Sequence, residues 1–515
     1  MAVQRWSRRT VVRSMAGSGL VVLAGMALSA CGGAATATTS STAAVTSAAI
    51  SAAASTPASS AAATTAVVAT TSVASSTAAT SASAAAVSAA TSAASTAAPA
   101  ASGSKAAAGI EYWHIFGGTD TATMNHMLDA FVTAHPDIPV QRTQLGFGNM
   151  AKKITTAIAG GTPPNVFMNG DAPVASAYGV LGVVKAVDAF AKQDGISADI
   201  FLQALQPTFV EAGKMWGLRF NTDVRPLYYN VNAFQEVGLD PAKPPTTWDE
   251  LIAASKKLTK KAPDGTLQRV GWWPGYGQVF FYQLDRSNGG HLSDAAGSKV
   301  LFDDDAGVGV LDFVRQAANA VGAAAEYATF AKSFGSNAKD PFITGQVAME
   351  FNGSWLKQTY TQYGADLNYK AALLPFPKKQ VSISGGFTLS IPAASPANKD
   401  DASWQLLKFL CTDKTQQLYM AKTGQLSALV SLADDPYFQS DPILKVVAEQ
   451  MKSTSLFPWQ PPLSKLGSSL SAAVTGAIAN TAPSKQLLDT AAQLTQAAID
   501  QYNQQNPQWL QNFGK

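Results

Sequence analysis

The sequence predicts an α/β fold that is divided into two lobes, and three observations support this prediction. Strands and helices alternate from Ile110 onward in βαβ units, which place consecutive strands in parallel. The chain has 515 residues, 47% of them hydrophobic, which is enough material for two separate cores. Near the middle of the chain, the stretch 213–251 is interpreted as the connection from the first lobe to the second.

The N-terminal segment 1–30 is predicted to be an export signal. Its Arg8-Arg9 pair resembles a twin-arginine signal, and the apolar run 19–30 that follows is too short to span a bilayer. The run ends in Leu-Ser-Ala before Cys31, which resembles a bacterial lipobox and implies cleavage after residue 30 and lipid attachment to the Cys31 sulfur. The alternative is a Cys31 thiol buried in a transmembrane anchor.

Residues 31–108 are predicted to form a disordered stalk behind the lipidated cysteine. The segment consists almost entirely of Ala, Ser and Thr, carries no charge before Lys105, and has no aromatic residue to nucleate a core. A flexible coil of roughly 75 residues has an end-to-end distance on the order of 50 Å. That distance is enough to hold a folded domain away from a membrane surface.

The first lobe is predicted from alternating strands and helices. Its elements in order are a strand at 110–116, a helix with apolar residues at 124, 127, 128 and 131, a strand at 139–145, a helix that begins at 150, and a strand at 165–168.

The passage between the lobes has two predicted short strands. They lie at 218–220 and 226–231, because both segments are rich in aromatic and β-branched residues. The polar residues 221–223 between them are predicted to form a turn. Further on, Thr247 and Glu250 have the spacing of a capping box, which predicts a helix start.

Charge and composition exclude several classes of function. Four of the 37 basic residues are arginines of the predicted signal, which leaves 33 basic against 34 acidic residues. A nearly neutral protein has no electrostatic footprint for nucleic acid. The two cysteines provide no disulfide framework, and Cys411 is interpreted as a packed thiol.

No cofactor or metal site is predicted. The four histidines show no metal-ligand spacing, and no nucleophile elbow or phosphate-cradling loop is present. The run Asp303-Asp304-Asp305 lacks spaced oxygen ligands and is interpreted as a helix N-terminus.

Several motifs in the chain resemble those of the family 1 extracellular solute-binding proteins of ABC importers. The stretch 213–251 contains GKMWGL, LYYN, GLDP and PPTTWDEL, residues 152–166 read KKITTAIAGGTPPNV, and 342–355 contain FITGQVAM and NGSW. The resemblance extends in order from Ile110 to about Leu432. The chain departs from the family pattern where Trp216 replaces Tyr, Arg219 replaces Pro and Asn165 replaces Asp.

The resemblance implies a two-lobed periplasmic-binding-protein-like fold of type II. Each lobe is then expected to be a mainly parallel sheet flanked by helices, with three interlobe crossings near Asp223, Gly386 and Gly424. Lobe 1 is expected to comprise residues 109–223 and 386–424. Lobe 2 is expected to comprise residues 224–385 and 425–515.

In the first lobe, ligand contacts are expected beyond the carboxyl ends of the strands. Sugar-binding relatives such as maltose-binding protein contact sugar from the corresponding loops. The resemblance therefore implies contacts from His114, Gly118, Asp120, Asn169 and Asp171. The alternatives are a helix-capping role for Asp120 and a core position for His114.

In the second lobe and at the crossings, aromatic and polar residues are expected to complete the site. Trp272, Trp273 and Tyr276 are predicted to form an exposed aromatic platform, with burial of Trp272 as the alternative. The resemblance implies that Trp355 lies on a sugar ring, because an indole face complements the apolar face of a pyranose; its alternative is core packing. The remaining expected contacts are Asn221, Asp223, Arg225, Gly385, Gly386, Phe387 and Trp459.

Binding is favoured over catalysis as the function. The resemblance implies a monomer, lipid-anchored to the cell membrane on its extracytoplasmic face, that delivers a sugar to the membrane subunits of an ABC permease. One alternative ligand is a glycerol-phosphate-type or other polar solute paired with Arg219 and Arg225. Two further alternatives are a tethered glycoside hydrolase that uses Asp171 and Asp223, and a surface lipoprotein without a ligand.

Overall fold

The computed structural model of the chain describes residues 109–170, 175–179, 182–294, 297–456 and 465–505. Several predictions concern residues outside these ranges: the signal 1–30, the lipidated Cys31, the stalk 31–108, and the contacts of Asp171 and Trp459. They remain predictions.

The described residues alternate between helices and short strands. The strands are β1 Ile110–His114, β2 Val140–Gln144, β3 Val166–Gly170, β4 Val210–Glu211, β5 Lys214–Met215, β6 Leu218–Arg219, β7 Asn221–Thr222, β8 Leu227–Asn230, β9 Lys260–Lys261, β10 Leu267–Arg269, β11 Met349–Phe351, β12 Tyr369–Ala372, β13 Ser382–Ser384, β14 Phe387–Ser390, β15 Leu426–Ser427 and β16 Thr454–Leu456. The helices are α1 Thr121–Ala134, α2 Phe147–Ala159, α3 Asp188–Gln193, α4 Val231–Glu236, α5 Trp248–Leu258, α6 Phe281–Ser287, α7 Asp305–Val321, α8 Ala324–Phe330, α9 Leu356–Tyr363, α10 Asp400–Thr412, α11 Lys414–Ala421, α12 Pro436–Ser440, α13 Pro442–Met451, α14 Leu466–Ile478 and α15 Ser484–Gln505.

The sheet of lobe 1 has the strand order β2-β1-β3-β14-β6. Strands β1, β2 and β3 are parallel, as the βαβ pattern predicts. Strand β14 lies between β3 and β6 and runs antiparallel to both. The sheet is therefore mixed, because its last two strands do not belong to the N-terminal βαβ units.

One core cluster fills lobe 1. Helix α1 contributes Met124, Leu128 and Phe131, which are fully buried and pack with residues of the sheet and of α10. Cys411 of α10 belongs to the same cluster, and burial raises the pKa of its thiol well above the ordinary value. The interpretation of Cys411 as a packed thiol is confirmed, since a protonated, buried sulfur is a poor nucleophile.

The sheet of lobe 2 differs from the prediction. Strand β8 lies at its centre and runs antiparallel to both neighbours, β11 and β12. Strands β11 and β12 thus share one direction and are joined through α9, as in a βαβ unit. The prediction of a mainly parallel sheet in this lobe is wrong, because the chain inserts β8 between these two strands in the opposite direction.

The helix starts of lobe 2 follow the sequence signals. Thr247 accepts a hydrogen bond from the Glu250 amide, and the Glu250 side chain accepts one in return, so the predicted capping box is present at α5. Asp304 accepts from the Gly307 amide at the start of α7, which confirms that the aspartate run is a helix N-terminus. Trp248 of α5 stacks on Phe313 of α7 with ring centroids 4.2 Å apart.

A second core cluster, distinct from that of lobe 1, fills lobe 2. It combines residues of β8, β11, α5 and α7 with the C-terminal helices α14 and α15. Leu470 of α14 and Leu488 of α15 are buried in this cluster. Helices α14 and α15 therefore pack in the same core as β8 and β11.

The chain passes between the two cores three times within one compact unit that contains all the described residues. Strand β7 pairs antiparallel with β15, and β13 continues through Gly385 and Gly386 into β14. The prediction of a turn at 221–223 is wrong for Asn221 and Thr222, which are strand residues with no exposed surface. Thr222 tolerates this burial because its hydroxyl lies 2.7 Å from that of Ser384, within hydrogen-bond distance.

Among the residues that the structure describes, no helix combines the length and the apolar character needed to cross a membrane.

Candidate ligand-binding site

The site is built where loops of the two lobes face each other beside the crossings. Gln358 of α9 donates a hydrogen bond of 2.8 Å to the Thr119 carbonyl, which joins the loop after β1 to the start of α9. Gly424 packs so closely on the same region that an added Cβ would lie 2.5 Å from the Ser354 carbonyl oxygen. Asp120 of lobe 1 and Trp355 of lobe 2 are therefore brought to the same place.

Asp120 carries a carboxylate that is only partly used by the protein. Its Oδ2 accepts a hydrogen bond of 3.0 Å from Gln425, whereas its Oδ1 is buried and has no hydrogen-bond partner among the residues that the structure describes. Burial raises the pKa of Asp120 to about 6, and the bond from Gln425 opposes this rise. The side chain does not cap α1, so the alternative of a helix-capping role is not supported.

Gly118 lies at the tip of this loop. It is exposed and has a φ of 58°, a left-handed conformation that favours glycine, and an added Cβ would meet nothing within 4 Å. Glycine at this position therefore serves the backbone conformation of the loop.

A buried ion pair lies at the first and second crossings. The Arg225 guanidinium pairs with the Asp223 carboxylate, which also accepts a hydrogen bond of 2.8 Å from the Gly385 amide. The guanidinium lies 5.3 Å from the Trp355 ring centroid and 5.8 Å from that of Phe280. Arg225 is thus held between two aromatic rings with its charge balanced by Asp223.

Gly385 and Gly386 allow the second crossing to approach these groups. A Cβ on Gly385 would lie 3.0 Å from the Asp223 carboxylate, and one on Gly386 would lie 2.5 Å from the Asn221 carbonyl oxygen. Gly386 also has a φ of 111°. Gly386 therefore requires glycine, and Gly385 leaves little room for a side chain beside the Asp223 carboxylate, so both positions serve close packing of the crossing.

Arg219 is buried in lobe 1, where its guanidinium donates to the Gly385 carbonyl and approaches the hydroxyl groups of Thr208 and Thr388 at 3.4 and 3.5 Å. These contacts hold the second crossing against lobe 1. They also occupy donors that the glycerol-phosphate alternative assigned to a phosphate.

Trp355 is partly exposed and directly precedes α9. Its ring contacts Arg225 and approaches Gly353 so closely that a Cβ there would lie 2.0 Å from the indole. The indole is absent from the apolar core clusters formed by the described residues, so the alternative of core packing is not supported.

The predicted exposed platform in lobe 2 is wrong. Trp272 has no exposed surface and packs between Phe313 and Phe351, and Trp273 is 3% exposed and stacks on Tyr327 at 4.0 Å. Tyr276 is partly exposed, with its hydroxyl 3.5 Å from Asp340. The aromatic run is buried because Gly271 lies directly against the α5 backbone, which draws the following tryptophans into the core.

His114 and Asn169 are both buried in lobe 1. Burial and the charge of Arg142 lower the pKa of His114 to about 4, so its imidazole is neutral at physiological pH. Its ring lies 5.5 Å from that of Tyr112, which agrees with the alternative of a core histidine. Asn169 is paired in register with Thr388 within the sheet.

The sequence reasoning missed two aromatic residues near the site, Phe147 in lobe 1 and Phe280 in lobe 2. Phe147 is 58% exposed at the start of α2 and lies 6.5 Å from Phe387, which also packs on Phe116. Phe147 follows the carboxyl end of β2, so the rule applied to β1 and β3 would have found it. Phe280 has no comparable signal, because its position beside Arg225 depends on the packing of lobe 2.

Gln425 was also missed. It directly follows Gly424 at the third crossing, donates to Asp120, and accepts a hydrogen bond of 2.9 Å from Asn221. Asn221 in turn accepts a hydrogen bond of 2.8 Å from the Phe387 amide. Its neighbour Gly424 was recognised as a crossing, and a polar side chain directly after a crossing was the available signal.

No group of three or more potential metal ligands occurs within the described ranges. Of the two carboxylates in the hydrolase alternative, Asp223 is committed to Arg225 and the Gly385 amide, and Asp171 lies outside the described residues.

Known periplasmic proteins are similar to this chain in sequence. The sn-glycerol-3-phosphate-binding periplasmic protein UgpB of Pectobacterium atrosepticum is 23% identical over 384 residues, covering 69% of this chain and 82% of that protein. The UgpB protein of Agrobacterium fabrum is 28% identical over 159 residues, which cover 30% of this chain and 36% of that protein.

Solved structures share the fold. CpMnBP1 with mannotriose bound superimposes with a TM-score of 0.67 at 23% identity and covers 76% of this chain and 99% of its own. UgpB from Mycobacterium tuberculosis in complex with glycerophosphocholine has a TM-score of 0.65 at 19% identity, with 77% and 99% covered. The maltose/maltodextrin-binding domain MalE from Bdellovibrio bacteriovorus bound to maltotriose has a TM-score of 0.63 at 21% identity, with 77% and 100% covered.

These likenesses confirm the predicted two-lobed fold. The sequence pattern of the family described as bacterial extracellular solute-binding protein matches residues 126–446, which is more than half of the chain. The chain therefore belongs to the bacterial extracellular solute-binding proteins.

Proposed function

We propose that this protein captures a neutral sugar or oligosaccharide between its lobes and delivers it to the membrane subunits of an ABC importer. The choice of a neutral ligand rests on the pairing of Arg225 with Asp223. This cation lies at the site, but Asp223 balances its charge and both side chains are buried. An anionic ligand would have to compete with Asp223 for the same donors.

The other groups at the site suit a polyhydroxylated ligand. Trp355 presents a partly exposed indole, and Phe147 and Phe387 lie on the side of lobe 1. Aromatic faces bind the apolar faces of sugar rings, while carboxylates such as Asp120 accept hydrogen bonds from hydroxyl groups. Asp120 in its ionised form would repel a phosphate placed nearby.

A glycerol-phosphate-type ligand is the second candidate. It is favoured by the names of the UgpB relatives and by the glycerophosphocholine bound in one structural neighbour. For such a ligand, Arg225 would have to exchange Asp223 for a phosphate oxygen. The glycerol moiety would then face Asp120.

Trp355→Ala tests the site. Loss of a stacking face is expected to cost ~1–3 kcal/mol, roughly 5- to 150-fold in affinity, by analogy with base stacking on aromatic side chains. The measurement is calorimetric titration of the full chain with mannotriose, maltotriose, sn-glycerol 3-phosphate and glycerophosphocholine. Trp216→Ala serves as the control, because Trp216 is a partly exposed tryptophan that bonds to the Glu211 carbonyl within lobe 1.

We expect the wild type to bind one of the two sugars and Trp355→Ala to bind it more weakly. Trp216→Ala is expected to bind that sugar with the affinity of the wild type. Equal affinity of Trp355→Ala and the wild type would remove Trp355 from the site. Preference for a phosphate compound would replace the sugar by the second candidate. Release of new reducing ends during incubation would favour a hydrolase.

We further propose that Cys31 is lipidated after export by a twin-arginine signal and that 31–108 act as a tether for a monomeric binding domain. The lobes are proposed to comprise 109–223 with 386–424, and 224–385 with 425–515, with Ala428, Leu429 and Leu432 of the last segment packing in the core of lobe 1. Replacing Cys31 by Ser removes the sulfur that would carry lipid, and the protein is then expected to leave the membrane fraction. Unchanged fractionation of Cys31→Ser would contradict the anchor.

A further inference from the structure

We infer that Gln425 is a positioning residue that links the three interlobe crossings to Asp120 and thereby fixes the orientation of the carboxylate that the proposed function assigns to a ligand hydroxyl group. The inference rests on the proposed function for the ligand but on the structure alone for the link between Gln425 and Asp120. It assigns a role to a residue that no motif identified.

The link is a chain of three hydrogen bonds. The Phe387 amide donates to Asn221 Oδ1 at 2.8 Å, Asn221 Nδ2 donates to Gln425 Oε1 at 2.9 Å, and Gln425 Nε2 donates to Asp120 Oδ2 at 3.0 Å. We call this chain the crossing relay. Phe387 belongs to the second crossing, Asn221 to the first and Gln425 to the third.

The direction of the crossing relay is fixed at both ends. A backbone amide can only donate, and an ionised carboxylate can only accept. Asn221 must therefore present its oxygen to Phe387 and its nitrogen to Gln425, and Gln425 must present its nitrogen to Asp120. Flipping either side-chain amide would set two donors or two acceptors against each other.

The relay members are well shielded from water. Asn221 has no exposed surface and Gln425 is 5% exposed, so neither can exchange its partners for water without disturbing the crossings. Hydrogen bonds in such surroundings are strengthened, and a broken one leaves a buried polar group unsatisfied. The relay therefore holds the Asp120 carboxylate in one orientation relative to all three crossings.

The orientation leaves one oxygen of Asp120 for a ligand. Oδ2 is occupied by Gln425, whereas Oδ1 is buried and has no donor among the described residues. A buried oxygen of this kind is costly until a donor reaches it. A sugar hydroxyl group supplies such a donor, and an ionised phosphate oxygen does not. The position therefore selects the hydroxyl-bearing part of a ligand.

Three variants test the assignment in titrations with mannotriose and maltotriose. Gln425→Met removes the relay donor, and Asp120→Asn keeps an oxygen for Gln425 but turns an NH2 donor toward the ligand hydroxyl. Each change is expected to lower the affinity for the sugar that the wild type binds by about tenfold or more, since hydrogen bonds to charged groups are the strong ones. Gln416→Met is the matched control, because Gln416 is a buried glutamine of α11 outside the relay.

The double variant separates positioning from general destabilisation. If Gln425 acts through Asp120, the two substitutions are not additive. The double variant Asp120→Asn/Gln425→Met should then bind the sugar no more weakly than the single variant with the lower affinity. Losses that add in full, or a loss in Gln416→Met equal to that in Gln425→Met, would overturn the positioning role.

A measurement without ligand keeps the relay testable on its own. Carbon-13 NMR titration of the Asp120 carboxyl group is expected to show a higher pKa in Gln425→Met than in the wild type, because the donor that stabilises the carboxylate is lost. Gln416→Met should leave the Asp120 pKa unchanged. An unchanged pKa in Gln425→Met would overturn the relay. If that pKa rises while neither sugar binds the wild type, the relay stands and the sugar proposal fails.

Discussion

At the scale of single residues, burial determines which polar groups are available for a ligand. Asp223 and Arg225 neutralise each other beside the site, whereas Asp120 keeps one oxygen that no described residue bonds. Asp285 is a contrasting case in lobe 2. Its carboxylate has no exposed surface, and neither oxygen has a hydrogen-bond partner among the described residues, so its charged form is poorly solvated.

Asp285 predicts a pH dependence of stability. Burial, reinforced by the charge of Asp304, raises the pKa of Asp285 from about 4 to about 7, while Arg286 opposes the rise. An acid with a raised pKa binds its proton more tightly in the folded chain than in the unfolded chain. The free energy of unfolding therefore decreases as the pH rises from about 4 through about 7.

Urea unfolding at pH 5 and pH 8 checks this dependence. Asp285→Asn removes the titrating group and should reduce the difference in unfolding free energy between the two pH values by on the order of 1–3 kcal/mol. Asp366→Asn, at an exposed position, is the control and should keep the wild-type difference. An Asp285→Asn variant with the full wild-type difference would show that this carboxylate does not titrate as the structure requires.

At the scale of elements, local signals predicted the helix starts, because a cap is made by residues within one turn of each other. Thr247 with Glu250 and Asp304 with Gly307 are such cases. Strand direction in lobe 2 was not predictable in this way. It depends on β8 entering between two strands that follow it by more than a hundred residues, and no local pattern records that pairing.

The aromatic residues illustrate the same limit within the site. Trp355 lies in a specific motif, and its indole lies beside Arg225 and close to Gly353. Trp272 lies in an aromatic, glycine-containing run that suggests exposure, yet the close approach of Gly271 to the α5 backbone buries it. The distinction depends on a tertiary contact, which composition does not encode. Phe280 was missed for the same reason.

At the scale of the whole molecule, two core clusters are joined by three short crossings. The clusters share no residue, and a smaller cluster that includes Val224, Leu426 and Phe438 lies beside the crossings. Two rigid bodies joined by a few element ends form a hinge. A ligand that contacts both lobes at once favours the closed arrangement, since those contacts exist only there.

Capture of a sugar between the lobes can be measured by small-angle X-ray scattering of the wild-type protein with and without saturating mannotriose or maltotriose. We predict that the sugar which binds in calorimetry reduces the radius of gyration, because closure brings the two lobes together. Binding with an unchanged radius of gyration would contradict capture between the lobes, and absence of binding to both sugars would contradict the proposed ligand.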